Sequence, residues 1–138
     1  MFAQLKLVNI DNLKFHEDIN PSRLSKLQAQ ISTDGHIKTP IIVDKKNMVI
    51  LDGHHRFNCC KNLGLKKIPC VLVDYLEDSE IKVSSRKKNF KITKKIVIAA
   101  GINGFLFPHK TTRHSLPYKF KNLFIPLTNL QGKLISNI

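Results

Sequence analysis

Asp52-Gly53-His54-His55-Arg56 follows the apolar run Met48-Val49-Ile50-Leu51 and precedes a helical segment, residues 57–63, that closes at Gly64. A short apolar run, a small flexible residue and a helical pattern ended by glycine predict strand, tight turn and helix. The start of such a helix leaves backbone N–H groups unpaired and carries the positive end of the helix dipole. Gly53 permits close approach of a ligand to that backbone, and Arg56 with His54 and His55 adds donors. The turn is therefore a candidate phosphate site. Taken alone, these residues equally allow Asp52 to act only as a helix cap, with both histidines in solvent.

The 138-residue chain has the length of one domain with a modest core. Its 23 Lys and Arg against 10 Asp and Glu give a net charge of +13, which points to an anionic partner. Nucleic acid, nucleotide and phosphorylated metabolites all satisfy that charge. The apolar share of 42% is ordinary for a soluble globular chain. Cys59, Cys60 and Cys70 lack zinc-ligand spacing and predict reduced, partly buried thiols in a cytoplasmic protein. The longest apolar run, residues 96–107, is interrupted by Gly101, Asn103 and Gly104 and is too short to span a bilayer. The N-terminus shows no signal-peptide pattern, so the expectation is a cytoplasmic protein without a membrane partner.

Outward from the central turn, residues 5–10 predict a first strand. Asn20 caps a helix that has Pro21 at its first position, where a missing N–H does no harm. Leu24, Leu27 and Ile31 share one face of that helix, which stops by Gly35. Residues 41–44 and 48–51 predict antiparallel neighbours joined at Lys45-Lys46-Asn47, and residues 68–75 a buried strand. Residues 81–84 predict a short strand. Thr93 caps a helix through Ala100, with Ile96, Val97 and Ala100 as its buried face. Arg86, Lys87, Lys88, Lys91, Lys94 and Lys95 form the densest basic run. Residues 109–114, polar, cationic and followed by Pro117, read as a functional loop.

Three polar clusters stand out: His16-Glu17, the turn from Asp52 to Arg56, and Lys110-Thr111-Thr112-Arg113-His114. If folding joins them, the turn and Arg56 hold phosphates and Asp52 takes Mg²⁺, a hard cation that prefers oxygen. Glu17 then orients a hydroxyl and accepts its proton, and the third cluster binds a small polar acceptor. Adjacent His54 and His55 cannot readily share one zinc from the same helix face. No Walker loop is present, which excludes a P-loop kinase, while hydrolysis of a phosphodiester stays open.

The path from Leu5 through Tyr75, with its DGHHR turn, resembles the N-terminal module of the ParB/sulfiredoxin superfamily, whose GxxR-type turn is matched by Gly53-His54-His55-Arg56. The resemblance implies an α+β fold, a small mixed sheet with packed helices, plus a short C-terminal helix and a substrate-binding loop. It implies one domain over residues 1–138, with a core module at 1–76 and a C-terminal extension at 77–138.

Two further matches narrow the choice. His16-Glu17 follows the first strand where archaeal free-serine kinases have an equivalent His-Glu. The segment from Lys110 to Pro117 is similar to their C-terminal KTTRH-x-LP segment. The resemblance implies Glu17 as catalytic base with Asp52 as its catalytic partner and magnesium ligand. Gly53, His54, His55 and Arg56 become the nucleotide phosphate turn, and Lys110, Thr111, Thr112, Arg113 and His114 the serine pocket. The implied reaction moves a phosphoryl group from ATP or ADP to free L-serine with Mg²⁺, giving O-phospho-L-serine. Two departures stand beside it. The chain is shorter than those kinases after the post-Tyr75 strand, and Arg86 stands where they carry an aromatic residue. In the sulfiredoxins the reactive cysteine lies inside the turn, where this chain has His54. A ParB-like nucleotide- or DNA-binding module and a non-catalytic regulatory paralogue are the alternatives.

Overall fold

The computed structural model describes residues 3–88, 90–108, 111–117 and 123–131. In chain order the elements are β1 (Gln4–Asn9), α1 (Pro21–Asp34), β2 (His36–Ile37), β3 (Ile41–Asp44) and β4 (Ile50–Asp52). They continue with α2 (His54–Asn62), β5 (Lys67–Val73), β6 (Lys82–Ser85), α3 (Lys94–Asn103), β7 (Thr112–Ser115) and β8 (Ile125–Pro126). A four-stranded mixed sheet, ordered β1-β5-β3-β4, forms the centre. β5 runs antiparallel to β1 and parallel to β3, and β4 folds back antiparallel on β3. Two-stranded antiparallel ladders join β2 to β8 and β6 to β7.

The central strands are apolar almost without a break because the sheet is covered on both faces. From β3 and β5, Ile41, Val43, Ile68, Cys70 and Leu72 point into a core shared with Ile31 of α1 and Phe57, Cys59 and Cys60 of α2. Their alternating neighbours Ile42, Val71 and Val73 enter a second core with Tyr75, Val97, Ile98 and Ala100. The period of two in the strands thus sorts residues between an α1/α2 layer and an α3 layer. All three cysteines are buried and free. Burial pushes the Cys60 and Cys70 thiols up to about 12, so they pack as neutral groups.

The caps follow the sequence closely. The Asn20 side chain accepts a hydrogen bond from Arg23 N with Pro21 at the first helical position, and Gly35 closes α1 in the left-handed region. Thr93 caps α3 through Ile96 N. Two expectations change. Ile96 is exposed, while Ile98 and Gly101 take the buried face, because α3 continues to Asn103 and meets the sheet along that line. Residues 112–115 are a strand paired with β6, not a loop, since the polar run finds its ladder partner in β6 about thirty residues earlier.

Gly101 is the point of closest approach between α3 and the sheet. A Cβ placed there would lie 2.7 and 2.8 Å from the two γ-methyls of Val49. An alanine in a helix interior normally gains roughly 0.5–1 kcal/mol over glycine. Here overpacking opposes that gain at about 1–3 kcal/mol. Gly101→Ala is therefore expected to lower the midpoint of urea unfolding; a raised midpoint would show that α3 can slide away from Val49.

Candidate active site

A cavity of about 210 Å³ opens where the ends of β4, α1, α2 and β7 meet. Its α2 wall is the DGHHR turn. Gly53 is the N-cap of α2 with φ of +107°, a conformation that favours glycine, and a Cβ there would collide with Ile41. No side chain caps the helix, so Asp52 does not act as its cap. The first bond of the ladder runs from Phe57 N to Gly53 O, which leaves the first-turn amides outside it.

Arg56 and Asp52 sit together at 3.6 Å, the carboxylate side chain 60% exposed and the arginine 24%. Arg56 also donates to Pro40 O at 3.3 Å, and its Nε is buried without a partner among the described residues. The two histidines do something other than donate to an anion. His54 Nε2 accepts from His16 N at 3.2 Å, and His55 Nε2 accepts from Asn20 N at 2.9 Å. Both rings therefore brace the turn from behind. His55 ties it to the cap of α1, which brings Arg23 into the cavity wall.

The second wall comes from the far end of the chain. Residues 14–18 are stitched between the start of β4 and Phe107: Ile50 N donates to Lys14 O, Phe107 N to His16 O, and Asp18 N to Phe107 O. Glu17 is held at the centre of that last pair. Its Oε1 accepts two hydrogen bonds at 2.9 Å, from Thr112 N and from Thr112 Oγ1. Strand alternation then decides which residues of β7 reach the cavity. Thr112 and His114 line it, and the exposed Arg113 lies between them on the other face. Thr111 is buried, with its hydroxyl on Pro108 O. Lys110 lies outside the described residues.

Reading the sequence for motifs missed Arg23, a charged residue of the cavity wall, and singled out Arg86 only through the resemblance, as standing where the kinases carry an aromatic residue near the serine site. Arg23 carries no motif of its own, but its place in the first turn of α1, beside the Asn20 cap, was a usable signal. Arg86 donates through Nε to Thr112 O at 3.1 Å and through its backbone N to Thr111 O at 2.8 Å. The lining thus holds three arginines against the carboxylates of Glu17 and Asp52, a balance suited to an anionic guest.

Behind Glu17 stands a cluster of neutral imidazoles. His16 is fully buried, its ring centroid 4.6 Å from that of His54 and 6.4 Å from that of His114. Neither ring nitrogen of His16 has a partner among the described residues. Desolvation holds His16 down to about 4 and His114 to about 3, and it holds His54 well below the usual range with the neighbouring imidazoles adding to the shift. His114 Nε2 lies 2.8 Å from the hydroxyl of Tyr75, a phenol whose burial pushes its pKa up and keeps it protonated.

Comparison with known proteins gives these walls a context. Residues 2–87 match the model of the ParB N-terminal domain. An ATP-dependent L-serine kinase of Staphylothermus marinus is 38% identical over 77 residues, 53% of this chain and 31% of that protein. A ParB-like protein of Sulfolobus acidocaldarius is 44% identical over 72 residues, 52% of this chain and 36% of that protein. The chain thus spans about a third of the length of the curated relatives it matches. Among solved structures, a free serine kinase in complex with AMP superposes with a TM-score of 0.81 at 18% identity, covering 91% of this chain and 93% of that one. This likeness is one of fold.

The imidazole cluster makes stability depend on pH. The unfolded chain takes up protons near the ordinary histidine value of 6.5, whereas folded His16 does so only near 4. Between those values the unfolded state binds more protons, so stability is present above the window and declines as pH falls through it. The urea midpoint is expected to drop from about pH 7 to about pH 4.5, and to drop less steeply in His16→Leu. An equally steep fall in the variant would remove His16 from the titrating set.

Proposed function

The chain belongs to the family of the ParB N-terminal domain, and from that premise and the cavity we propose that it is a free L-serine kinase, moving the terminal phosphoryl group of ATP or ADP to L-serine. One observation carries the reading: a glycine-capped helix start with arginines shares a cavity with a carboxylate, Glu17, tethered to β7. The name of the Staphylothermus marinus relative and the fold likeness to a free serine kinase support it.

In this reading the first-turn amides of α2 and Arg56 bind the donor phosphates, which need positioning and charge stabilisation more than covalent help. L-Serine lies against Thr112 and His114. Glu17, fixed at Oε1 by Thr112, takes the proton from the serine hydroxyl through its other oxygen. The serine oxygen bonds to the terminal phosphorus as the bond from phosphorus to the bridging oxygen breaks. ADP leaves when ATP is the donor, and AMP leaves when ADP is. The histidines behind Glu17 are held neutral by burial and add no positive charge to this wall.

Asp52 would hold Mg²⁺, since an exposed carboxylate on the cavity wall is a suitable hard donor. Among the described residues no group of three or more His, Cys, Asp or Glu could hold a metal. Phosphate oxygens and water would therefore supply the other ligands, as is usual for this ion. When bound it neutralises phosphate charge. The protein, on this account, works in the cytoplasm. The competing reading is a nucleotide- or DNA-binding module, which the +13 charge and the ParB-like relative favour.

The test is mass detection of O-phosphoserine after incubation with Mg²⁺, L-serine and either ATP or ADP. Serine-dependent product with one donor is expected, and Glu17→Gln should lower kcat by about 10²–10⁴ while nucleotide affinity holds. No product from folded protein with either donor would leave the binding role.

A further inference from the structure

Arg86 stands at the junction of β6 and β7, and its geometry has a function beyond joining them. Its Nε and its backbone N are both spent on β7 carbonyls, those of Thr112 and Thr111. A guanidinium pinned at Nε keeps its end-on pair of Nη groups, the fork that matches a carboxylate bidentately. The residue that pins it is the one that holds Glu17: Thr112 donates to the glutamate through N and Oγ1 and accepts from Arg86 through O. Base and guanidinium are thus mounted on a single residue, and Arg86 lines the same cavity.

Charge on this wall decides what Arg86 is for. Glu17 is an acid, Thr112 is uncharged, and His114 is held neutral by burial. An acceptor carrying its own carboxylate would meet repulsion from Glu17 unless a cation stood beside it. Arg56 stands on the α2 wall, where the kinase reading gives it the donor phosphates, and Arg23 belongs to the α1 wall. Among the described lining residues, the cation on the β7 side is Arg86. Resting on the kinase reading above, we infer that Arg86 is a specificity-determining residue that binds the acceptor's α-carboxylate. It selects hydroxy amino acids over amino alcohols and over acceptors whose carboxyl group is neutralised.

The test titrates L-serine, L-serinamide and AMP separately, then each acceptor with AMP present so that no transfer occurs, on wild type, Arg86→Gln and Arg86→Lys. Serinamide keeps the hydroxyl and the amine and lacks only the charge. Wild type is expected to bind serine roughly 10- to 100-fold more tightly than serinamide. Arg86→Gln should lose that preference by weakening serine alone, and Arg86→Lys, which keeps charge without the fork, should fall between. Equal weakening of both acceptors would reduce Arg86 to a structural tie between β6 and β7. Weakened AMP with serine unchanged would assign it to the donor, and absence of discrimination in wild type would also overturn the inference. The kinase reading fails separately, if wild type discriminates between the acceptors in this way yet makes no phosphoserine.

Discussion

The two hydrogen bonds from Thr112 to Glu17 join residues 95 positions apart in the chain. Each bond to a carboxylate contributes about 1.5–3 kcal/mol when well made. Their importance lies in what they close. Glu17 arrives on a segment stitched to β4 and Phe107, and Thr112 arrives on a strand laddered to β6. Without the tether, the cavity would have the α2 turn and no second wall.

Around that contact, polar groups divide into those that face a ligand and those that brace. The bracing set is neutral: His54 and His55 accept backbone N–H bonds, and His16 is buried between other rings. The facing set is charged, with Arg23, Arg56 and Arg86 beside Glu17 and Asp52. Buried imidazoles disfavour the protonated form, so formal positive charge is kept at the arginines. The high net charge of the chain is thus expressed locally as three guanidiniums around one opening.

Much of this was legible in the sequence where a local rule has a local cause. Asn20-Pro21, Thr93 and Gly53 announce helix starts through capping and backbone freedom, and all three stand there. The nearly unbroken apolar run over residues 68–75 announced a buried strand, and β5 is one. The Glu17 and DGHHR clusters do meet in one cavity. What escaped depends on partners distant in sequence. Residues 112–115 carry no alternation of apolar and polar, so their strand exists only through β6. Once they form a strand, pleating separates Thr112 and His114 from Arg113, a distinction invisible in a run read as a loop. The donors expected of His54 and His55 became acceptors because Asn20 and His16 supply N–H groups from other segments. Arg86 stood out only as part of a basic run and as a departure from the serine kinases, and its Nε bond to Thr112 O, 26 residues away, is what ties it to the cavity wall.

The measurement that bears most directly on this account is the steady-state kinetics of Thr112→Val, which removes the Oγ1 donor and keeps volume and backbone. If the tether positions Glu17 for proton transfer, kcat for phosphoserine formation falls about 10-fold or more, because small displacements of a reacting group are costly. Nucleotide affinity should stay unchanged, since the α2 turn is untouched. An unchanged kcat, or a loss of nucleotide binding in its place, would contradict the assignment of this contact as the one that completes the site.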